Sequence, residues 1–171
     1  MRRLDAARLI SSLEPRFVDE SCFEAAAALC RGNPLYYEHY GSPPPEPEAL
    51  REDLEALPPG KGYEDKYYLG LFDGEGRLRA LLDLIDGYPD PETAWIGFFM
   101  LDPELQGRGF GTRLITELLR ALTGYGFRRA ALGVVEGNPQ AEAFWAKNGF
   151  EACGEPRRDR RPAIRTMERH I

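Results

Sequence analysis

The chain has 171 residues, the size of one compact domain, and a chain of this length buries roughly 70% of the surface its unfolded form exposes. With 43% hydrophobic, 29% charged and 11% aromatic residues, it is excluded from the disordered, collagen-like and disulfide-scaffold classes. No apolar run approaches the roughly 20 residues of a membrane span. The opening Met1-Arg2-Arg3-Leu4-Asp5 begins no secretory signal, so a cytoplasmic protein without membrane partners is the expectation.

The net charge of −6 is unevenly divided. Residues 1–104 carry 10 basic and 21 acidic side chains, whereas residues 105–171 carry 12 and 7. Two halves of opposite sign suit two different partners, and they equally suit two solvated faces. The overall acidity argues against a nucleic-acid partner, with the arginine-rich stretch 157–161 as a local exception. Cys22, Cys30 and Cys153, with His39 and His170, make no spaced ligand set, so no metal is expected.

Taken in chain order, residues 7–12 read as a first strand and 20–30 as a helix stopped by Gly32 and Pro34. The run Gly41-Ser42-Pro43-Pro44-Pro45-Glu46-Pro47 is a stiff surface connection, followed by a second helix over 47–57. Lys66–Phe72 and 79–85 are strands joined by a hairpin at Asp73-Gly74-Glu75-Gly76, and Thr93–Leu101 is a third apolar strand. Residues 112–122 place Leu114, Ile115, Leu118, Leu119 and Leu122 on one helical face. A buried strand follows over Arg129–Val135. Asn138 then caps a helix with Pro139 at its first position and Gly149 past its end. Strands over 150–153 and 163–169 close a mixed sheet with helices packed on it.

The segment from Leu101 to Thr112 passes directly from a strand into a helix, and Gly107, Gly109 and Gly111 permit a tight turn there. Successive N–H groups at the helix start, aided by the helix dipole and by Arg108 and Arg113, form a cradle for phosphate or pyrophosphate. A Walker loop would need Gly-Lys-Ser/Thr at its end. A dinucleotide fingerprint would need an early βαβ position and an acidic residue on the next strand. This segment has neither.

The segment resembles the acetyl-CoA motif of the GNAT acetyltransferase superfamily, Q/R-x-x-G-x-G/A, through Gln106, Gly109 and Gly111. The stretch Val135-Glu136-Gly137-Asn138 through Gly149-Phe150 resembles that superfamily's next landmark, and together the two span roughly 94–152. The resemblance implies a single α/β domain. Its sheet would be mixed and mostly antiparallel, with six to seven strands flanked by about four helices. It also implies direct acetyl transfer from acetyl-CoA to an amine. By the same resemblance, backbone groups of Met100 and Leu101 hold the pantetheine arm, and an amide there, assigned to Leu101, stabilises developing negative charge. Gln106, Gly107, Arg108, Gly109, Phe110, Gly111 and Thr112 take the pyrophosphate. Asn138 reaches the thioester region, and Ala141 and Trp145 line the groove.

The chain departs from the family at two places. The strand Thr93–Leu101 carries no carboxylate, with Trp95 near the position of the frequent family Glu, and Trp145 stands where a general-acid Tyr is frequent. Asp83, Asp86 and Glu136 are the substitutes for a base, of which Asp83 and Glu136 are the candidates retained. Between 38 and 65 lie eight carboxylates against Arg51 and Lys61. Six of the eight tyrosines fall at 36, 37, 40, 63, 67 and 68. In proteins resembling this one the first two helices wall the acceptor site, so a cationic amine is the expected acceptor: polyamine-like, amino-sugar-like or a peptide amino end. An acyl-CoA sensor without turnover and an interaction module using 157–165 are the alternatives. The last strands leave a homodimer open.

Overall fold

In the computed structural model, which describes residues 3–171, seven strands and five α-helices run in the order β1 (Glu14–Phe17), α1 (Phe23–Arg31), α2 (Pro34–Tyr40), α3 (Leu50–Glu55), β2 (Lys66–Phe72), β3 (Leu78–Asp86), β4 (Thr93–Leu101), α4 (Phe110–Gly124), β5 (Arg129–Val135), α5 (Pro139–Lys147), β6 (Glu151–Arg157) and β7 (Ile164–His170). They form one sheet in the order β1-β2-β3-β4-β5-β7-β6. Every neighbouring pair is antiparallel except β4 and β5, which run parallel. β2 is buried along its whole length, which is why its sequence is a near-continuous apolar run rather than an alternation.

The pleat sends successive side chains to opposite faces. Ala80, Leu82 and Leu84 of β3 join Leu114, Ile115 and Leu118 of α4 and Trp145 of α5 in one core. Leu81 of the same strand joins Phe23, Ala26 and Ala27 of α1 and Leu50 of α3 in another. Thus α4 and α5 cover one face, and α1 to α3 cover the other. Leu114, Ile115 and Leu118 are fully buried, each contributing about 1.5–3 kcal/mol of transfer free energy.

Three expectations are corrected. Residues 7–12 are not a strand. Leu9 and Ile10 are buried, but Ser11 and Ser12 donate backbone N–H groups to the Glu117 carboxylate at 2.9 and 3.0 Å, and β1 begins only at Glu14. The Gly32-Asn33-Pro34 stop is also a start: Pro34 occupies the first turn of α2, a seven-residue helix that buries only Tyr37. The strand expected over 150–153 extends to Arg157, with an irregularity in its pairing between Cys153 and Arg157. β6 is an edge strand, and an edge tolerates Pro156. Pro15 sits likewise in β1, the opposite edge.

Candidate active site

Sheet topology creates the site. β4 and β5 pair only from Thr93↔Arg129 to Ile96↔Leu132. Beyond that point β4 stays with β3, whereas Gly133, Val134 and Val135 pair with Thr166, Arg165 and Ile164 of β7. The two parallel strands therefore splay and open a wedge. At the same place β4 carries a bulge: Leu84 faces Ile96 and Asp83 faces Phe98, leaving Gly97 without an opposite residue. The extra residue shifts the phase of the strand, so that Ile96 belongs to the α4 face but Phe98 and Met100 pack against the α1 cluster.

Backbone direction along the wedge follows from the ladder. The Asp102 N–H donates to the Arg79 carbonyl at 2.8 Å, next to the opposed pairs Ala80↔Leu101 and Leu81↔Met100. In an antiparallel ladder alternate residues direct their N–H and C=O groups to opposite sides. Leu101 therefore turns its groups away from β3 and into the wedge, as does Phe99. Met100 turns its groups toward Leu81. The expectation that Met100 offers its backbone is corrected on this ground: the residues presenting peptide groups are Phe99 and Leu101.

The turn after β4 is held from both ends. Arg79, buried on β3, lies 3.3 Å from Asp102 and 3.2 Å from Glu104. The Gln106 side chain points inward, donating to the Leu101 carbonyl at 2.9 Å and to Asn33 Oδ1 at 2.6 Å, while Asn33 Nδ2 donates to the carbonyls of Leu29 and Leu101 at 3.0 and 3.3 Å. Gln106 also spends its own N–H on the Pro103 carbonyl, at 3.2 Å. It therefore braces the turn, with its side-chain amide and its own N–H already committed. Gly109 has φ 82° and caps α4, a left-handed conformation that L residues with a Cβ resist. The N–H groups of Phe110, Gly111 and Thr112 then form the first turn of α4, where no intrahelical acceptor exists. Arg108 and Gly107 are exposed beside them. Orphan donors, a helix dipole and one guanidinium suit a pyrophosphate.

On the far wall, Asn138 Oδ1 caps α5 by accepting from the Ala141 N–H at 3.1 Å, and Ala141 is half-buried. Trp145 is placed in the core, edge-on to Phe144 and Phe150 at centroid distances of 5.0 and 5.1 Å, and supports the wall from behind. Glu136, past the end of β5, lies between Arg158 at 3.1 Å and Arg165 at 3.5 Å.

Asp83 lies on the α1 side of the bulge. Its Oδ2 accepts from Lys66 Nζ at 2.9 Å, and a Cβ added to Gly97 would stand 2.7 Å from that same oxygen. Only glycine admits the carboxylate so close to β4. Its Oδ1 is buried and has no hydrogen-bond partner among the described residues. Burial pushes the carboxyl above the usual aspartate range, and the Lys66 ammonium acts in the opposite direction. Tyr68 stands directly opposite Asp83 on β2. Tyr36 of α2 packs edge-on against Phe98 at 5.6 Å, and burial raises the phenol pKa of both Tyr36 and Tyr68. The tyrosine group of 36–68 is thus divided: Tyr36, Tyr37 and Tyr68 line this side, Tyr67 belongs to the opposite core, and Tyr40 and Tyr63 are exposed. Asp86 falls on the other face of β3 from Asp83, by the alternation of the strand. Lys66, Asn33 and Gly97 join this region without a motif to mark them. A lysine opening an apolar strand was the one available signal among them.

A splayed parallel strand pair with a glycine-rich helix start at its mouth makes a groove with anion-binding donors at one end. The model of the acetyltransferase (GNAT) family matches residues 33–150. The chain belongs to the GNAT acetyltransferase family and is an acyltransferase, in a family that uses acetyl-CoA. Similar solved structures include an acetyltransferase from Thermus thermophilus, at 24% identity, covering 95% of this chain and 99% of that one with TM-score 0.77. Spermidine N-acetyltransferase from Vibrio cholerae, in complex with CoA and spermine, is 21% identical over 94% and 96% of the two chains with TM-score 0.69. Ribosomal-protein-S18-alanine N-acetyltransferase from Escherichia coli is 18% identical over 92% of each chain with TM-score 0.62. These likenesses show that the seven-stranded sheet is the GNAT fold. No curated protein matches the chain. Among the described residues no helix is long and apolar enough to cross a membrane.

Proposed function

We propose that this acetyltransferase moves the acetyl group of acetyl-CoA directly to a primary amine of a small molecule or peptide, with Asp83 as the general base. When bound, acetyl-CoA supplies the acetyl group activated as a thioester. Gly107 to Thr112 would hold its pyrophosphate, the Phe99 peptide groups its pantetheine amides, and Asn138 and Ala141 the opposite wall. The Leu101 N–H, turned into the wedge, is the donor for negative charge building on the carbonyl oxygen. An amine with a pKa of about 10 arrives as an ammonium and must lose a proton before it can attack. Asp83 Oδ1, buried and without a partner beside the wedge, is the observation that carries this reading. Of the eight carboxylates between 38 and 65, all but Asp65 are exposed, a negative surface that favours the approach of a cation.

The test is release of the CoA thiol with a panel holding spermidine, an aminoglycoside and a peptide with a free amino end, for wild type and Asp83→Asn. Turnover of at least one amine is expected, reduced about 10²- to 10⁴-fold in the variant, the usual range for a general base. Wild-type rates in Asp83→Asn would remove Asp83 from the role. A panel with no turnover would overturn the amine acceptor.

A further inference from the structure

The sheet places a second charged side chain in this site, and the family motif assigns it nothing. Lys66 begins β2 opposite Ile85, so its side chain meets Asp83 on the diagonal, two residues along the neighbouring strand. Only 5% of the Lys66 side chain and 16% of the Asp83 side chain reach solvent. The ammonium donates to Asp83 Oδ2 and to the Ala56 carbonyl, each at 2.9 Å, and lies 5.7 Å from the Tyr68 ring centroid. Ala56 follows α3, so the lysine is fixed from the helix layer as well as from the sheet. On its other side Lys66 borders a cleft of about 100 Å³ lined by Phe17, Val18, Leu54, Tyr63 and Tyr68, none of them a carboxylate. The groups facing Asp83 are Lys66 and Tyr68 from β2 and the exposed Asp53 from α3. β4 contributes Phe98 opposite Asp83 and Gly97 beside it, neither of which carries a titratable group.

The two carboxylate oxygens are thereby made unequal. One is tied down, and the other is buried and uncommitted. We propose that Lys66 is the positioning residue of the general base, anchoring Oδ2 of Asp83 so that Oδ1 is presented to the acceptor nitrogen, and holding the carboxylate in its charged form against the cost of burial. This inference rests on the reading of Asp83 as the base. A lysine here does what neither apolar packing nor a neutral donor does: it supplies orientation and opposite charge at once. Burial favours the acid form of Asp83, and the Lys66 ammonium at 2.9 Å favours the anion, the form that can accept the ammonium proton. Without the lysine nothing on this side opposes burial, and the carboxyl shifts further toward the acid form.

The experiment follows the Asp83 carboxyl itself. The protein is labelled with aspartate ¹³C at the side-chain carboxyl, and the Asp83 resonance is assigned by its loss in Asp83→Asn. It is then titrated in wild type, Lys66→Met, Lys66→Gln and Lys66→Arg. kcat and KM are measured against pH with the best amine of the panel. In Lys66→Met and Lys66→Gln the resonance should titrate higher by about one to three pH units, the effect of removing an opposite charge at contact distance. The acidic limb of kcat should move up with it, while KM for acetyl-CoA stays within about twofold. Lys66→Arg, which keeps the charge, should return both toward wild type. Thermal melting establishes which variants are folded. Should Lys66→Met not fold, Lys66→Gln, which keeps a donor but not the charge, carries the comparison. A resonance that titrates at the wild-type position in the neutral variants would overturn the role of Lys66 while leaving Asp83 as the base. Undiminished turnover by Asp83→Asn would overturn the base and this inference together.

Discussion

On the α4 side of the wedge, the groups that face inward belong to the backbone: the N–H groups of Phe110, Gly111 and Thr112, and of Leu101 at the strand end. On the α1 side they belong to side chains, with Asp83 on β3, Lys66 and Tyr68 on β2 and Tyr36 on α2. Backbone donors are set by turn geometry and are insensitive to most substitutions outside the glycines. Side-chain groups depend on register, burial and pairing, and a change of one atom alters their charge. The side proposed to take an unvarying pyrophosphate is built from the first material. The side proposed for proton transfer is built from the second.

The contrast can be tested in decreasing order of effect. Asp83→Asn changes one atom on the side-chain wall and should lower kcat about 10²- to 10⁴-fold with little change in acetyl-CoA affinity by calorimetry. Thr112→Asp is its counterpart on the backbone wall. A carboxylate in the first turn favours the helix but repels a pyrophosphate, so affinity for acetyl-CoA should fall on the order of tenfold or more while the melting temperature holds or rises. Gly97→Ala sits between the walls. Its Cβ would stand 2.7 Å from Asp83 Oδ2, so it must displace the base. A kcat loss of roughly tenfold with unchanged acetyl-CoA binding is expected, on the scale of a misplaced catalytic group. Gln106→Ala removes two hydrogen bonds from the brace, at 2.9 and 2.6 Å, and should cost about 1–2 kcal/mol in urea unfolding. Glu136→Gln is the smallest. Of its guanidinium partners Arg158 is exposed and Arg165 half-buried, and pairs this near the surface are worth about 0–1 kcal/mol. kcat within about twofold of wild type is expected, and a loss matching that of Asp83→Asn would move the base to β5.

The same division governs what the sequence made legible. Lys66–Phe72, Thr93–Leu101 and Arg129–Val135 are the spans read from the sequence, because a strand with much of its length buried must be apolar. The glycine turn was legible for a related reason: backbone chemistry at Gly109 needs a residue type that the sequence displays. α2 escaped because its seven residues bury one side chain and leave no period to count. The Lys66–Asp83 pair escaped because 17 residues separate the two, and neither the hairpin register nor the bulge at Gly97 is written in the residues themselves. The inward turn of Gln106 depends on Asn33, which lies 73 positions away. Asp83 was named from chemistry alone, as a carboxylate on the strand next to β4.

Pro15 and Pro156 have a consequence for the protein at high concentration. A proline has no N–H to offer. The Val18 N–H donates inward to Tyr68, so alternation turns the nitrogen of Pro15 outward, and a strand approaching that margin meets a gap in the row of donors. β1 adds brevity, at four residues, and β6 adds an irregular stretch before Arg157. Both margins are poor templates for extension into a fibril or a continuous sheet across molecules. The protein should therefore stay free of thioflavin-positive aggregates under conditions that leave it folded, and Pro156→Val should make β6 the more adhesive edge.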